Sequence, residues 1–119
     1  MAVVKWNGGI FDGITSFWND IPNGYGTWKV DGRLVYEGGW KKGEFDGIGT
    51  FYFKSGGSIM GWWTNGSISK CEVTFANGDK VKGVVDSKWR LNGECTYFSR
   101  SGEVYSCIYD HGTFIKRSH

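Results

Sequence analysis

Reaction chemistry in this chain would have to come from a small set of side chains, and their spacing does not assemble a catalytic group. The two histidines are His111 and His119, and neither has neighbours at the spacing of a nucleophilic triad or a metal-ligand cluster. A carboxylate pair acting as general acid and base needs two acids held across a substrate. Asp12, Asp20, Asp46, Asp79 and Asp86 instead fall in segments that read as turns, where Asp bonds to the local backbone. The Gly8-Gly9, Gly38-Gly39 and Gly56-Gly57 steps lack the Lys-Ser/Thr and the helix that would follow a phosphate cradle. The expectation is a protein without catalytic residues, metal site or cofactor, and not an enzyme.

Composition narrows the setting. Three cysteines, an odd number without framework spacing, fit free thiols in a reducing compartment. Fourteen basic and 12 acidic residues are mixed along the chain for a net charge of +2, so nucleic acid is not an expected partner. The first residues lack a basic segment with a long apolar run behind it, and no stretch approaches the ~18 apolar residues of a membrane span. A soluble, cytoplasmic protein is expected.

The elements that must position these residues are strands. Twenty glycines against one proline, with 18% aromatics, disfavour helix and suit sheet. Thr27-Trp28, Thr50-Phe51, Thr74-Phe75 and Thr96-Tyr97 recur at intervals of 23, 24 and 22 residues, each followed by a glycine (Gly32, Gly56, Gly78, Gly102). A period in the twenties marks a stacked repeat, and each unit reads as a β-hairpin about a glycine turn.

Folding one hairpin about position 32 sets Trp28 against Tyr36, Gly26 against Gly38 and Gly24 against Trp40. Folding the next about position 55 sets Phe51 against Ile59, Gly49 against Gly61 and Gly47 against Trp63. The same construction pairs Phe75 with Val81, Cys71 with Val85, Tyr97 with Tyr105 and Cys95 with Cys107. Alternation places all of these on one face, where glycines leave room for rings to lie across the backbone. Cys95 and Cys107 take the places of Gly49 and Gly61, with Cβ atoms about 4.5 to 5.5 Å apart. They are read as two reduced thiols filling a glycine-like slot, with a redox-formed disulfide as the alternative.

Tyr36-x-Gly38-x-Trp40-x-x-Gly43-x-x-x-Gly47-x-Gly49-x-Phe51 resembles a MORN repeat. Weaker copies open at Ile59-x-Gly61-x-Trp63-x-x-Gly66 and Tyr105-x-Cys107-x-Tyr109-x-x-Gly112, Phe75 to Gly83 resembles a junction of two copies, and Gly13-x-Thr15-x-Phe17 keeps little beyond the spacing. The resemblance covers roughly residues 13 to 116, as about four to five units. It implies an all-β, single-layered antiparallel meander of stacked hairpins, curved with a groove. It also implies a non-enzymatic module that binds proteins or dimerises, often near membranes. The chain is expected to form one domain over 1–119, with an atypical N-terminal unit over 1–23, clearer repeats over 24–103 and a capping hairpin over 104–119.

With Trp28, Tyr36, Trp40, Phe51, Trp63, Tyr97, Tyr105 and Tyr109 on the core face, the other face should carry Thr27, Lys29, Glu37, Thr50, Glu72, Thr74, Lys82, Glu94 and Thr96. Tyr25, Tyr52, Trp62 and Phe98 break that polar pattern and are expected to form a partner-binding patch, or else to lie under a covering loop or strand. Lys41, Lys42, Lys70, Lys88, Trp89 and Arg90 are expected on loops between hairpins, as a basic edge for an acidic partner or an anionic membrane surface, or as a solvated rim. The leading expectation is a protein-binding module acting as a standalone inhibitor or adaptor. Membrane attachment, and a homodimer or larger assembly through unpaired edge strands, are the alternatives.

Overall fold

The computed structural model describes residues 2–118, so His119 lies outside the described residues. Eleven strands follow one another in chain order: β1 (Ala2–Trp6), β2 (Gly9–Thr15), β3 (Pro22–Val30), β4 (Arg33–Lys41), β5 (Glu44–Tyr52) and β6 (Ser58–Thr64), then β7 (Ser67–Thr74), β8 (Lys80–Val84), β9 (Gly93–Phe98), β10 (Val104–Asp110) and β11 (Thr113–Arg117). Each pairs antiparallel with the next, so one open sheet runs from β1 to β11 without a crossover. The array is elongated, 53 × 24 × 21 Å. No helix among the described residues is long and apolar enough to cross a membrane.

Turn chemistry sets the register. Asn7-Gly8, Asp31-Gly32, Lys42-Gly43, Asn65-Gly66 and His111-Gly112 have positive φ at both residues, the backbone of the tight two-residue hairpin turn. Other turns span five residues. Phe53 N–H donates to Gly57, Phe75 to Asp79 and Ser99 to Glu103, while Gly56, Gly78 and Gly102 each bond back to the first residue. Glycine thus occupies the left-handed position one residue past the turn centre.

That offset corrects part of the expected pairing. Val81 lies opposite Val73, not Phe75, and Cys71 lies opposite Gly83, not Val85. The unit equivalent to Thr50-Phe51 and Thr96-Tyr97 is therefore Glu72-Val73, and Thr74-Phe75 stands two residues out of frame. The remaining expected pairs, including Cys95 with Cys107, are observed.

Two rows cross the core face. Phe11, Trp28, Tyr36, Phe51, Ile59, Val73, Val81, Tyr97 and Tyr105 are successive partners from β2 to β10. Beside them run Gly13, Gly26, Gly38, Gly49, Gly61, Cys71 and Gly83. Cys95 and Cys107, paired on β9 and β10, continue that row of small residues, and Cys95 Sγ packs against Gly83. The glycines let rings cross. Trp40 Nε1 donates to the Gly26 carbonyl at 3.3 Å, and Trp63 Nε1 donates to that of Gly49 at 3.0 Å. Burying each large side chain contributes roughly 1.5 to 3 kcal/mol, and the core is one continuous cluster from Phe11 to Tyr109.

The sheet also coils. Trp6, beside the β1–β2 turn, donates from Nε1 to the carbonyl of Gly43 in the β4–β5 turn at 3.2 Å. These two turns lie on opposite edges of the meander, so the first hairpin reaches across the core face.

Candidate binding surface

Alternation predicts a polar row on the outer face, and the row there is polar but for Met60: Asp12, Thr27, Glu37, Thr50, Met60, Glu72, Lys82, Thr96 and Ser106 are successive partners. Asp12 is thus mid-strand, not in a turn as expected. Asp46 lies within β5 and accepts from Asn65 N–H through Oδ2 at 3.3 Å. Asp79 and Asp86 occupy turns as expected, and Asp20 lies in the loop between β2 and β3. Among the described residues, no three His, Cys, Asp or Glu side chains form a group that could hold a metal ion.

The four out-of-pattern aromatics lie on this face but in two rows. Tyr52 and Phe98 lie in the row Tyr52, Ser58, Thr74, Lys80, Phe98, which continues to the exposed Val104 on β10. Four strand spacings separate them, about 19 Å. Both are half-buried, and Lys82 Nζ lies 5.4 Å from the Phe98 ring centroid. Trp62 pairs directly with Ile48, and each is 65% exposed; Met60, two residues before Trp62, is exposed too. Tyr25, also exposed, lies three strands from Trp62 and donates its hydroxyl to Glu37 Oε1 at 3.0 Å. That bond, with minor desolvation and the Glu37 charge, raises its pKa. Ile48, Met60 and Trp62 thus form one exposed apolar group on this face. Ile48 was legible in principle, because it alternates with Gly47 and Gly49.

The basic edge divides. Lys41 and Lys42 are exposed on the β4–β5 turn, with the Lys42 N–H held by Asn23 Oδ1 at 3.1 Å. Trp89 is not a rim residue. It packs edge-on against Phe51 at 4.9 Å and Trp63 at 5.0 Å, half-buried on the core side. Asp86, Trp89 and Arg90 form another five-residue turn, in which Trp89 adopts φ +61 where the equivalent turns have glycine. That backbone aims the indole inward. Arg90 is tied to Asp86, with Nε donating to Oδ2 at 2.9 Å. Desolvation opposes ionisation of Asp86, yet bonds from the Arg90 and Lys88 N–H groups and from the Arg90 side chain lower its pKa.

Phe17 was aligned with a repeat position, yet Phe17 and Trp18 are each 89% exposed on the loop between β2 and β3, edge to face at 4.8 Å. Two successive aromatics cannot share one face of a strand, which was the available signal. The base of this loop touches the lysine-bearing turn, where Gly43 N–H donates to the Pro22 carbonyl at 2.9 Å.

All three cysteines are free. Burial raises the pKa of Cys71 to about 11, with Cys95 adding to it, and burial likewise raises those of Cys95 and Cys107. Neither a protein-family model nor a curated protein matches this sequence.

Proposed function

We propose that this chain is a non-enzymatic protein-binding module of the cytoplasm, built as a MORN-type repeat array. It docks a protein partner on the outer face of its curved sheet, as an inhibitor or adaptor. The observation that carries this reading is the directly paired Ile48 and Trp62, flanked by Met60, exposed on a face whose central row is mostly polar. Aromatics at the centre of an interface supply much of its energy, and an apolar cluster held on rigid paired strands needs little reorganisation to bind. The family reading rests on the Tyr36 to Phe51 signature and on the rows of rings and glycines.

The test is quantitative co-purification from host lysate with wild type, Trp62→Ala, Tyr52→Ala and Thr27→Ala. A specific partner should be lost with Trp62→Ala, by about 30-fold in affinity for a strong anchor, and retained with Thr27→Ala. Recovery unchanged from wild type in both the Trp62 and Tyr52 variants would remove the patch. A second reading, membrane attachment, is favoured by the exposed Phe17 and Trp18 on a loop whose base contacts the turn bearing Lys41 and Lys42, since aromatics and lysines on one edge suit an anionic lipid surface. Liposome flotation that does not depend on anionic lipid would dispose of it.

A further inference from the structure

On the opposite face, where the first hairpin crosses the core, a cavity of about 190 Å³ opens between Trp6, Trp28, Trp40 and Phe45, with Glu44 as its only charged lining residue. Trp28 and Trp40 stand nearly perpendicular at 6.3 Å, and Phe45 lies 6.2 Å from Trp28 and 5.0 Å from Trp40. Rings therefore form the floor and one wall, and Trp6, held to Gly43, forms part of the remaining lining.

The polar atoms of this lining decide what it can take. Trp6 Nε1 donates to the Gly43 carbonyl, Trp28 Nε1 to the Trp6 carbonyl at 2.9 Å, and Trp40 Nε1 to that of Gly26. All three indole donors are spent on the backbone, so the rings offer the cavity π faces and edges. Glu44 is exposed and makes no ion pair among the described residues. Ring faces and a carboxylate both favour positive charge.

A primary ammonium brings three N–H donors, and beside the Glu44 carboxylate and the Asn7 side chain the lining side chains offer them only rings. A quaternary ammonium has no N–H donors to satisfy. At about 30 Å³ for one water, the cavity has room for roughly five or six heavy atoms, the size of a trimethylammonium group with one attached carbon. We infer that this cavity is an aromatic cage for a quaternary ammonium group, with Trp6, Trp28 and Phe45 as its walls and Glu44 as counter-charge. The site is independent of outer-face docking.

The test is titration of the full chain with choline, followed by tryptophan fluorescence and the indole Nε1–H resonances, beside the neutral isostere 3,3-dimethylbutan-1-ol. Choline should saturate, shift the Trp6 and Trp28 resonances and bind about 2- to 30-fold tighter than the isostere. Glu44→Gln should weaken choline severalfold with an unchanged Tm, and Trp6→Ala should abolish binding. Absence of saturation, or equal affinity for choline and isostere, would overturn the inference. Should Trp6→Ala fail to fold, the isostere and Glu44→Gln comparisons decide. Phosphatidylcholine vesicles separate the sources: binding to vesicles that free choline displaces marks a lipid head group, and binding to free choline alone marks a soluble ligand.

Discussion

Tyr36 lies directly over Gly49: a β-carbon at that glycine would fall 2.0 Å from the phenolic oxygen and 2.4 Å from Cζ. Tyr36 is fully buried and stacks on Phe45 at 3.9 Å, so it has nowhere to retreat. Gly49→Ala should therefore destabilise by about 1–3 kcal/mol, the usual cost of overpacking. Chemical denaturation reads this as a lower midpoint with an unchanged slope. An Ala variant as stable as wild type would show that the row of small residues does not need its glycines.

Asp79 links two neighbouring turns, accepting from the Tyr97 hydroxyl at 2.5 Å and from the Arg100 N–H at 2.8 Å. The Tyr97 bond chiefly, then the Arg100 bond, lowers its pKa below the ordinary 3.8. The unfolded chain then binds the proton more tightly, so this stabilisation is fully present above the unfolded pKa. It is lost as pH falls through the folded pKa. Thermal melts from pH 7 to pH 2 should show Tm falling below about pH 4, with a shallower fall in Asp79→Asn.

Trp89 sets packing against backbone strain. Trp89→Ala removes the contacts with Phe51 and Trp63 while keeping a side chain at φ +61. Trp89→Gly removes the same contacts but relieves that conformation, by about 1–2 kcal/mol. Both variants should be less stable than wild type, with the glycine variant the better of the two. The reverse order would mean that the turn relaxes once the indole is gone.

The thiols should be quiet in the folded protein. With Cys71 near 11, its thiolate fraction at pH 8 is roughly 100-fold below that of an ordinary thiol of pKa 9. Iodoacetamide labelling followed by intact mass should be slow for all three cysteines until denaturant is added, and then complete without reductant. A persistent two-thiol deficit after unfolding would instead show a Cys95–Cys107 disulfide.

The exposed apolar patch was only partly legible. Trp62 was visible because an aromatic interrupts a polar alternation, a local signal that survives into the fold. Its neighbours Ile48 and Met60 stood out less, since a single aliphatic side chain does not break the pattern as an aromatic does, although the expected register already set Ile48 opposite Trp62. The cage around Trp6 had no sequence signal, because Trp6 and Gly43 meet through coiling of the first strands of the sheet, β1 to β5.

The sequence by itself determined the hairpins, the repeat and the face of most rings, because alternation and glycine turns are local and recur at nearly constant spacing. Only the tertiary structure decided the frame of the β7–β8 hairpin, where Thr74-Phe75 imitates the repeat two residues late. It also turned Trp89 inward and brought Trp6 over Gly43. In the first case register follows which turn residue adopts the left-handed conformation. In the others, direction follows a positive φ and the accumulated coil of the strands from β1 to β5, and no short window of residues carries either.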